Sequence, residues 1–329
     1  MKICVIKLGA LGDVVRTLPI SEAVKKKYKD AEITWVTKEN ALQLFEGNPF
    51  VKKIEKIPFK TQEEFEILYN LDIDDEATLL ASLIKAKKKF GFYSENNYPV
   101  AFNSGAEYYL NTLFDDELKK SNKKTYQEMI FEASGIIYRK EKPEIYLAER
   151  EKRYAEEFFR KNRINKDKLI GIHMGAGQRW PSKAWSKEKI KEFIKKAKER
   201  SYEIIVFGGP DELSKVGLLV EELRKENISI YENNPRNSIK EFAALVSNCK
   251  KLVCSDSFAL HIAIASNTPA VGLFFCTTPH EVEDYGLLKK VVSPILYNYF
   301  PERQNEYSEE LVNSISAEEV LFILENNNK

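Results

Sequence analysis

The heptapeptide Ser255-Asp256-Ser257-Phe258-Ala259-Leu260-His261 joins an apolar run, Lys251-Leu252-Val253-Cys254, to the segment Ile262-Ala263-Ile264-Ala265. The apolar run is typical of a buried parallel strand and the later segment of a helix, so the heptapeptide is predicted to turn from strand into helix. Such a turn points backbone N–H groups at one spot, where the helix dipole favours an anion. His261, one turn into the helix, can face that spot. The arrangement fits a pyrophosphate-bearing ligand, although Asp and Ser are also common helix caps.

Strand and helix signals alternate along the rest of the chain in two series that meet near residue 145. Apolar strand-like runs occur at 2–7, 33–36, 51–57, 65–71 and 89–93, and again at 169–173, 203–207, 228–230, 251–254 and 270–274. This alternation predicts an α/β protein with two doubly wound parallel sheets. Ligands bind such sheets outside the carboxyl ends of the strands, so the two halves are expected to face each other across a cleft.

Four further segments carry specific expectations. One helix is predicted from Asp13 to about Tyr28, and a charged helix, suited to joining two domains, at 149–161. Aromatic residues, Asn and Gly mix without a period at 94–121, which predicts a long loop with some helix. A final amphipathic helix is predicted at 316–326.

Composition bounds the functional class. The chain has 329 residues, of which 43% are hydrophobic and 31% charged, which indicates a globular protein. Lys and Arg number 51 against 50 Asp and Glu, a balance that argues against a nucleic-acid partner. No apolar run reaches the ~20 residues of a membrane span and the first residues lack a signal-peptide pattern, so a cytoplasmic location is expected. The basic runs at 85–89 and 119–124 are interpreted first as solvated faces and second as contacts with an anionic membrane surface.

Cysteine and histidine provide no evidence of a metal site. The four cysteines form no C-x-x-C pair, and three lie in predicted strands, which favours buried free thiols. The three histidines are far apart and lack zinc-ligand spacing. The turn Gly9-Ala10-Leu11-Gly12 has two glycines where a dinucleotide fingerprint has three, so a nicotinamide oxidoreductase is disfavoured.

Asp13 lies at the tip of the first strand-to-helix turn, where a parallel sheet presents its chemistry. A carboxylate there can act as a general base toward an incoming hydroxyl. The competing interpretation is an acidic residue that only complements the helix dipole.

Three turns of the second half have the composition of a phosphate and sugar site. Gly175-Ala176-Gly177 can bring backbone close to phosphate, and the cations Arg179 and Lys183 follow it. Gly208-Gly209-Pro210-Asp211-Glu212 places a carboxylate where ribose hydroxyls can bind, and Thr277-Thr278 places hydroxyls at a strand end. Each of these turns is also compatible with ordinary turn or capping roles.

Taken in order, these motifs resemble glycosyltransferase family 9, the ADP-heptose:lipopolysaccharide heptosyltransferases. The matching segments run from residue 11 to about 286: Leu11-Gly12-Asp13 with Thr17-Leu18-Pro19, Gly175-Ala176-Gly177 with Pro181-Ser182-Lys183-Ala184-Trp185, Gly208-Gly209-Pro210-Asp211-Glu212, Asp256-Ser257 with His261 and Ala263, and Thr277-Thr278-Pro279. Each motif is modest, but five in the right order are specific.

The resemblance implies a GT-B fold, with two facing Rossmann-like domains: an acceptor-side domain at 1–145 and a nucleotide-sugar-binding domain at 146–329, whose last helix tends to cross back to the first. It implies an inverting transfer of a sugar, heptose from ADP-heptose, to a lipopolysaccharide-core or other lipid-linked or oligosaccharide acceptor. Peripheral contact with the inner face of the membrane would follow. No cofactor is required by this chemistry, and Mg²⁺ could still stimulate it. Asp72-Ile73-Asp74 matches the D-x-D metal motif, but it lies in the first half of the chain, away from the predicted diphosphate site.

Residue roles follow from the same resemblance. Asp13 would be the general base and Lys183 would steady the leaving diphosphate. Glu212 would bind the ribose, and Asn237 would lie near the nucleobase. The donor-binding set is Gly175, Gly177, Arg179, Glu212, Asn237, Asp256, Ser257, Phe258 and His261.

The chain departs from the family pattern at several positions. Phe258 replaces the usual Gly, which is expected to reshape the donor pocket and leaves the donor sugar and base undetermined; Met174 and Ser186 replace usual prolines, and Thr278 replaces an Asp. Two alternatives stand beside the transferase. The Phe258 departure motivates a non-catalytic nucleotide-sugar or glycan-binding protein. The other is an NDP-sugar epimerase on the same scaffold, which would need further acid/base groups in the second half, with His173 or His261 as candidates.

Overall fold

The structure is a computed structural model that describes residues 1–177 and 179–326. The chain forms two compact units: unit 1 comprises Met1–Tyr146 and His280–Glu283, and unit 2 comprises Leu147–Pro279 and Asp284–Lys329. Within the described ranges, no helix is both long enough and apolar enough to cross a lipid bilayer.

Unit 1 is built on a six-stranded sheet of order β3-β2-β1-β4-β5-β6. Its strands are β1 (Lys2–Ile6), β2 (Glu32–Thr37), β3 (Lys53–Lys56), β4 (Phe65–Asn70), β5 (Ala86–Glu95) and β6 (Tyr98–Ala101). All pair in parallel except β6, which runs antiparallel to β5. Residues 3–6 of β1 are completely buried, as expected for a central strand covered on both faces.

The helices of unit 1 are α1 (Leu11–Thr17), α2 (Pro19–Lys27), α3 (Asp75–Leu83), α4 (Ser104–Phe114), α5 (Asp116–Ser121) and α6 (Tyr126–Ser134). The single helix predicted from Asp13 to Tyr28 is wrong, because the chain forms α1 and α2 with Pro19 as the first residue of the second. Proline lacks the N–H that would continue the first helix, and its fixed φ suits a helix start.

For residues 94–121 the predicted long loop is wrong, while the helix also expected there is confirmed. The segment holds the end of β5, the whole of β6, and helices α4 and α5. The β5–β6 hairpin turns at Asn96 and Asn97, whose φ values of 52° and 65° are those of a tight hairpin turn. The aromatic residues that obscured the pattern pack on one another: Tyr93 stacks on Phe102 with ring centres 4.5 Å apart.

Unit 2 repeats the design with a six-stranded, fully parallel sheet of order β12-β11-β10-β7-β8-β9. The strands are β7 (Leu169–His173), β8 (Glu203–Phe207), β9 (Tyr231–Glu232), β10 (Lys251–Ser255), β11 (Ala270–Phe274) and β12 (Leu288–Val292). The strand predicted at 228–230 is displaced to β9, and β12 was not predicted. Both are edge strands, where weak burial blurs the apolar pattern.

The helices of unit 2 are α7 (Glu149–Asn162), α8 (Lys187–Glu199), α9 (Leu213–Lys225), α10 (Ile239–Val246), α11 (Phe258–Ala265), α12 (Glu309–Asn313) and α13 (Ala317–Glu325). Short 3₁₀ helices occur in both units, at Glu39–Phe45 in unit 1 and, further along the chain, at Lys166–Lys168, Pro210–Glu212, Pro279–Glu281 and Leu296–Asn298. The last helix, α13, belongs to unit 2, where Glu318 pairs with Lys196 and Arg200 of the α8 segment. All four cysteines are buried and free.

Candidate active site

In unit 2, one carboxylate gathers three of the predicted site residues. Asp256 follows the end of β10, and its Oδ2 lies 3.2 Å from Nζ of Lys183. The Thr277 hydroxyl, after β11, donates to the same oxygen at 2.8 Å. His261 Nε2 lies 3.9 Å from Oδ1. These groups meet because the carboxyl ends of neighbouring parallel strands share one edge of the sheet.

The Asp256–Lys183 pair is shielded from solvent, with the two side chains 14% and 12% exposed. It adjoins the start of α11, whose first N–H groups have no acceptor within the helix. Ser257 is the N-cap, yet its side chain makes no capping bond, and its buried hydroxyl has no hydrogen-bond partner among the described residues. A cation, free backbone donors and an unused hydroxyl are the groups that bind a phosphate.

The two glycines at 175 and 177 have different reasons to be glycine. A Cβ on Gly175 would collide with the Glu212 carboxyl group, so the absence of a side chain lets this loop pass over Glu212. Gly177 has φ +75°, a conformation that L residues rarely adopt, and a Cβ there would meet nothing. Glu212 itself accepts a hydrogen bond from the Gly209 N–H at 2.9 Å, which fixes one carboxylate oxygen.

His173, which is not part of the predicted donor-binding set, lies beneath this loop. Its Nδ1 is 2.9 Å from the Gly175 carbonyl oxygen. Burial lowers the pKa of His173, although the Glu212 carboxylate acts in the opposite direction, so the imidazole is neutral at pH 7.

A chain of hydrogen bonds fixes Asn237. Its Nδ2 donates to the Tyr154 hydroxyl of α7 at 2.6 Å, and its Oδ1 accepts from Asn233 Nδ2 at 3.1 Å. Asn233 Oδ1 in turn accepts from the Gly208 N–H at 3.1 Å. Asn237, which was predicted to lie near the nucleobase, is thus linked by hydrogen bonds to the glycine turn that carries Glu212. Tyr154 was not predicted, because it contacts Asn237 across 83 residues of sequence, and Asn233, four residues before Asn237, was not predicted either.

Phe258 and Arg179 make aromatic contacts. The Phe258 ring lies 6.3 Å from that of Phe242 on α10, so the bulk that replaces the expected glycine packs toward α10. The exposed Arg179 guanidinium carbon is 4.7 Å from the Trp180 ring centre, and Lys183 Nζ is 4.8 Å from the same ring. Arg179 and Lys183 therefore share one indole.

In unit 1, Asp13 lies in the first turn of α1 with its side chain 35% exposed. Its Oδ1 accepts from Arg16 Nη2 at 2.5 Å. The Arg16 guanidinium carbon lies 3.9 Å from the Tyr126 ring centre, and the Thr17 and Tyr126 hydroxyls are 2.9 Å apart. Arg16 and Tyr126, both absent from the predicted site, thereby hold the carboxylate in place.

A buried ion pair lies under the Asp13 turn. Lys7 Nζ is 3.3 Å from Asp72 Oδ2, and both side chains are almost fully buried. Asp72 Oδ2 also accepts from the N–H groups of Leu8 and Gly9 at 2.8 and 2.6 Å, which shapes the backbone that leads to Asp13. The motif spelled by Asp72 and Asp74 is thus accounted for, since Asp74 caps α3. Among residues 1–177 and 179–326, no cluster of three or more His, Cys, Asp or Glu side chains could hold a metal ion.

The ion pair shifts the pKa values of both partners. Burial alone lowers the pKa of Lys7, but Asp72, with smaller contributions from Tyr126 and Asp13, raises it well above its ordinary value. Burial alone raises the pKa of Asp72, but Lys7 and the backbone N–H groups lower it below its ordinary value. The pair is therefore charged throughout the neutral range.

Asp72→Asn is expected to lower the free energy of unfolding by about 3 kcal/mol at pH 7, because the change leaves Lys7 buried without its counter-charge. Since the folded pKa of Asp72 is lowered, its stabilisation is present above the unfolded value of about 4 and is lost as pH falls through the folded value. Urea unfolding of both proteins at pH 7 and pH 3.5 tests this, with Asp30→Asn on the surface as the control. A constant difference between wild type and Asp72→Asn at both pH values would contradict the assignment.

Comparison with known proteins places the chain in a family. Residues 61–312 match the pattern of glycosyltransferase family 9 (heptosyltransferase). Lipopolysaccharide heptosyltransferase 1 of Campylobacter coli is 24% identical over 305 residues, which cover 84% of each chain.

Two solved structures are similar along nearly their whole length. The glycosyl transferase family 9 protein of Veillonella parvula superposes with a TM-score of 0.77 at 21% identity, over 99% of this chain and 96% of that one. The E. coli ADP-heptose lps heptosyltransferase II gives 0.69 at 17% identity, over 99% and 98%. The predicted GT-B class, with two Rossmann-like parallel sheets, is confirmed by these likenesses.

The family match covers the Lys183, Asp256 and His261 region together with residues 61–146 of unit 1, and it begins after Asp13. It confirms the predicted enzyme class, a glycosyltransferase, and does not favour the epimerase or the non-catalytic alternative. The chain belongs to glycosyltransferase family 9, the heptosyltransferase family.

Proposed function

We propose that this protein transfers heptose from ADP-heptose to a lipopolysaccharide-core acceptor, with unit 2 binding the donor and unit 1 the acceptor. The observation that carries the proposal is the shielded Lys183–Asp256 pair beside the N-terminus of α11. The choice of donor and acceptor is supported by the names of relatives: the E. coli protein is an ADP-heptose enzyme, and the C. coli protein acts on lipopolysaccharide.

The donor site is assembled from the strand ends of unit 2. Lys183 and the first N–H groups of α11, with the Ser257 hydroxyl, bind the diphosphate, and Arg179, which contacts the same Trp180 ring as Lys183, adds positive charge. Gly175 and Gly177 let the loop backbone approach the phosphates. Asp256 and His261 contact the donor sugar. Glu212, already oriented by Gly209, accepts from the ribose, and Asn237 borders the nucleobase beyond it.

The reaction is a single displacement. The acceptor hydroxyl oxygen attacks the anomeric carbon of the heptose while its proton passes to the Asp13 carboxylate. The bond between the anomeric carbon and the diphosphate oxygen breaks, and its electron pair leaves with ADP. The anomeric configuration is inverted because attack and departure occur on opposite faces. Lys183 and the helix N-terminus stabilise the negative charge that develops on the diphosphate.

The donor is tested by calorimetric titration of the protein with ADP, UDP, GDP and dTDP, each without and with Mg²⁺. We expect saturable binding of ADP, weaker binding of the other three, and at most a modest change with Mg²⁺, because Lys183 and Arg179 already supply positive charge. Tighter binding of another nucleotide, or of none, would contradict the proposed donor.

We further propose that unit 1 contacts an anionic membrane surface through the end of α3 and the start of β5. Leu83 is 80% exposed and Leu79, one turn earlier, is also exposed, while Lys85, Lys87 and Lys88 project from the segment that follows. Exposed apolar side chains beside a basic run are typical of interfacial binding.

The membrane contact predicts co-sedimentation with phosphatidylglycerol vesicles but not with phosphatidylcholine vesicles. Changing Lys85, Lys87 and Lys88 together to Ser is expected to weaken binding by about 100-fold, since each lysine near such a surface contributes about 1 kcal/mol. A triple change of the exposed Lys residues 52, 53 and 56 provides the control. Equal binding of the two triple variants would refute this surface.

A further inference from the structure

The loop that carries Lys183 is anchored by the serine that precedes it. Ser182 is completely buried at 0% exposure. Its hydroxyl donates to the Glu306 carbonyl oxygen at 2.9 Å and accepts from the Ser308 N–H at 2.8 Å. A serine hydroxyl has one donor and two acceptor positions, so this single side chain satisfies two main-chain groups of a segment more than 120 residues away.

Further hydrogen bonds join the same loop to the same segment, residues 306–315, which we call the C-terminal strap. Trp185 Nε1 donates to the Ile315 carbonyl oxygen at 3.2 Å. The Ser186 hydroxyl donates to Asn313 Oδ1 at 2.7 Å, and the Ser186 N–H donates to the Val312 carbonyl oxygen at 3.3 Å. Lys183 is therefore flanked by anchored residues on both sides.

Anchoring of the backbone matters for a lysine more than for a shorter side chain. A lysine ammonium sits on a flexible four-carbon stem, and its position depends on where the backbone holds the base of that stem. The Lys183 N–H makes a local turn bond, to the Trp180 carbonyl oxygen at 3.1 Å. Without the strap, the loop would have to be ordered when a ligand binds, and that cost would reduce affinity.

We propose that Ser182 is a positioning residue for diphosphate binding, acting through Lys183 by tying the loop to the C-terminal strap. This inference rests on the proposed function, because it presumes that Lys183 binds the diphosphate of the donor. The inference gives the C-terminal strap a part in donor binding, although the strap contains none of the predicted site residues.

The test is a double-mutant cycle on ADP affinity. Ser182→Ala is expected to weaken ADP binding about tenfold, the effect of one lost buried hydrogen-bond anchor of about 1.4 kcal/mol. In a Lys183→Ala background the same change is expected to weaken binding less than about twofold, because a residue that acts through Lys183 has nothing left to position. A merely structural role would lower affinity equally in both backgrounds.

The matched control is Ser314→Ala. The Ser314 hydroxyl donates to the Leu311 carbonyl oxygen and accepts from the Ser293 hydroxyl, at 2.7 Å each, so it makes as many hydrogen bonds as Ser182 and lies in the strap, but both of these bonds stay outside the loop that carries Lys183. We expect Ser314→Ala to retain wild-type ADP affinity. A loss equal to that of Ser182→Ala would show that general loosening of the strap, rather than the Ser182 anchor, governs affinity, and would overturn the inference.

A measurement on the wild-type protein covers the case in which Ser182→Ala does not fold. Amide hydrogen exchange of a peptide that spans Glu306 and Ser308 is expected to slow when ADP is added. A ligand that orders the loop through Lys183 also stabilises the hydrogen bonds between Ser182 and this peptide. Unchanged exchange in that peptide with ADP bound would overturn the inference. Absence of ADP binding by the wild-type protein would instead contradict the proposed function.

Discussion

Replacing Asp13 by Asn is expected to slow transfer by about 10²- to 10⁴-fold, the range for loss of a general base, while ADP affinity stays at its wild-type value. Asn has the shape of Asp and can still accept a hydrogen bond from Arg16, but it cannot take a proton from an acceptor hydroxyl. ADP binding is unaffected because the proposed donor site is built from unit 2 and Asp13 belongs to unit 1.

Release of ADP from ADP-heptose in the presence of acceptor measures the rate, and calorimetry measures the affinity. Asp74→Asn is the control: this carboxylate also follows a strand of the unit 1 sheet and pairs with Lys38 at 2.9 Å, but it caps α3 and has no proposed role in the reaction. An Asp13→Asn protein that retains a third or more of the wild-type rate would eliminate Asp13 as the base.

Lys183→Ala is expected to reduce kcat/KM for the donor by about 10³-fold, as for removal of a group that stabilises developing negative charge. The loss should exceed that of an exposed lysine, because Nζ is shielded and lies 3.2 Å from Asp256. Once the ammonium is gone, the Asp256 carboxylate faces the diphosphate without compensation, and like charges repel.

This argument makes a second, sharper prediction within the same experiment. Adding Asp256→Asn to Lys183→Ala should recover part of the ADP affinity, because it removes the repulsive charge. Lys187→Ala, four residues further on and paired with Glu222 of α9, should bind ADP as the wild type does. If the double variant binds ADP no better than Lys183→Ala, the electrostatic account of the pair is wrong.

Much of the fold was predictable because its signals are local. The central strands β1 and β10 are short apolar runs buried on both faces, and glycine or acidic turns follow them. The strand-to-helix turn after β10 predicted that His261 faces the same spot as Asp256, and the resemblance to the family added Lys183 to that donor site. The placement of Asp13 at the start of α1 followed in the same way.

The supporting residues could not be predicted, because their partners are distant in sequence. Lys7 contacts the Leu71 carbonyl 64 residues away, Tyr154 contacts Asn237 across 83, and Ser182 contacts Ser308 across 126. No local period or cap marks such a pair. The secondary structure of the α4–α5 region was predicted wrongly for a related reason. Its aromatic side chains are placed by contacts with one another, such as Tyr109 against Tyr126, rather than by a regular apolar stripe.

The most direct test of the account is a transfer assay with the purified protein, ADP-heptose and a lipopolysaccharide-core acceptor that lacks heptose, analysed by mass spectrometry and ADP release. The account predicts that the acceptor gains one heptose for each ADP released, with inverted anomeric configuration, and that Asp13→Asn slows both signals by about 10²- to 10⁴-fold. An acceptor that stays unmodified while the wild-type protein binds ADP-heptose, or converts it into another nucleotide sugar, would contradict it.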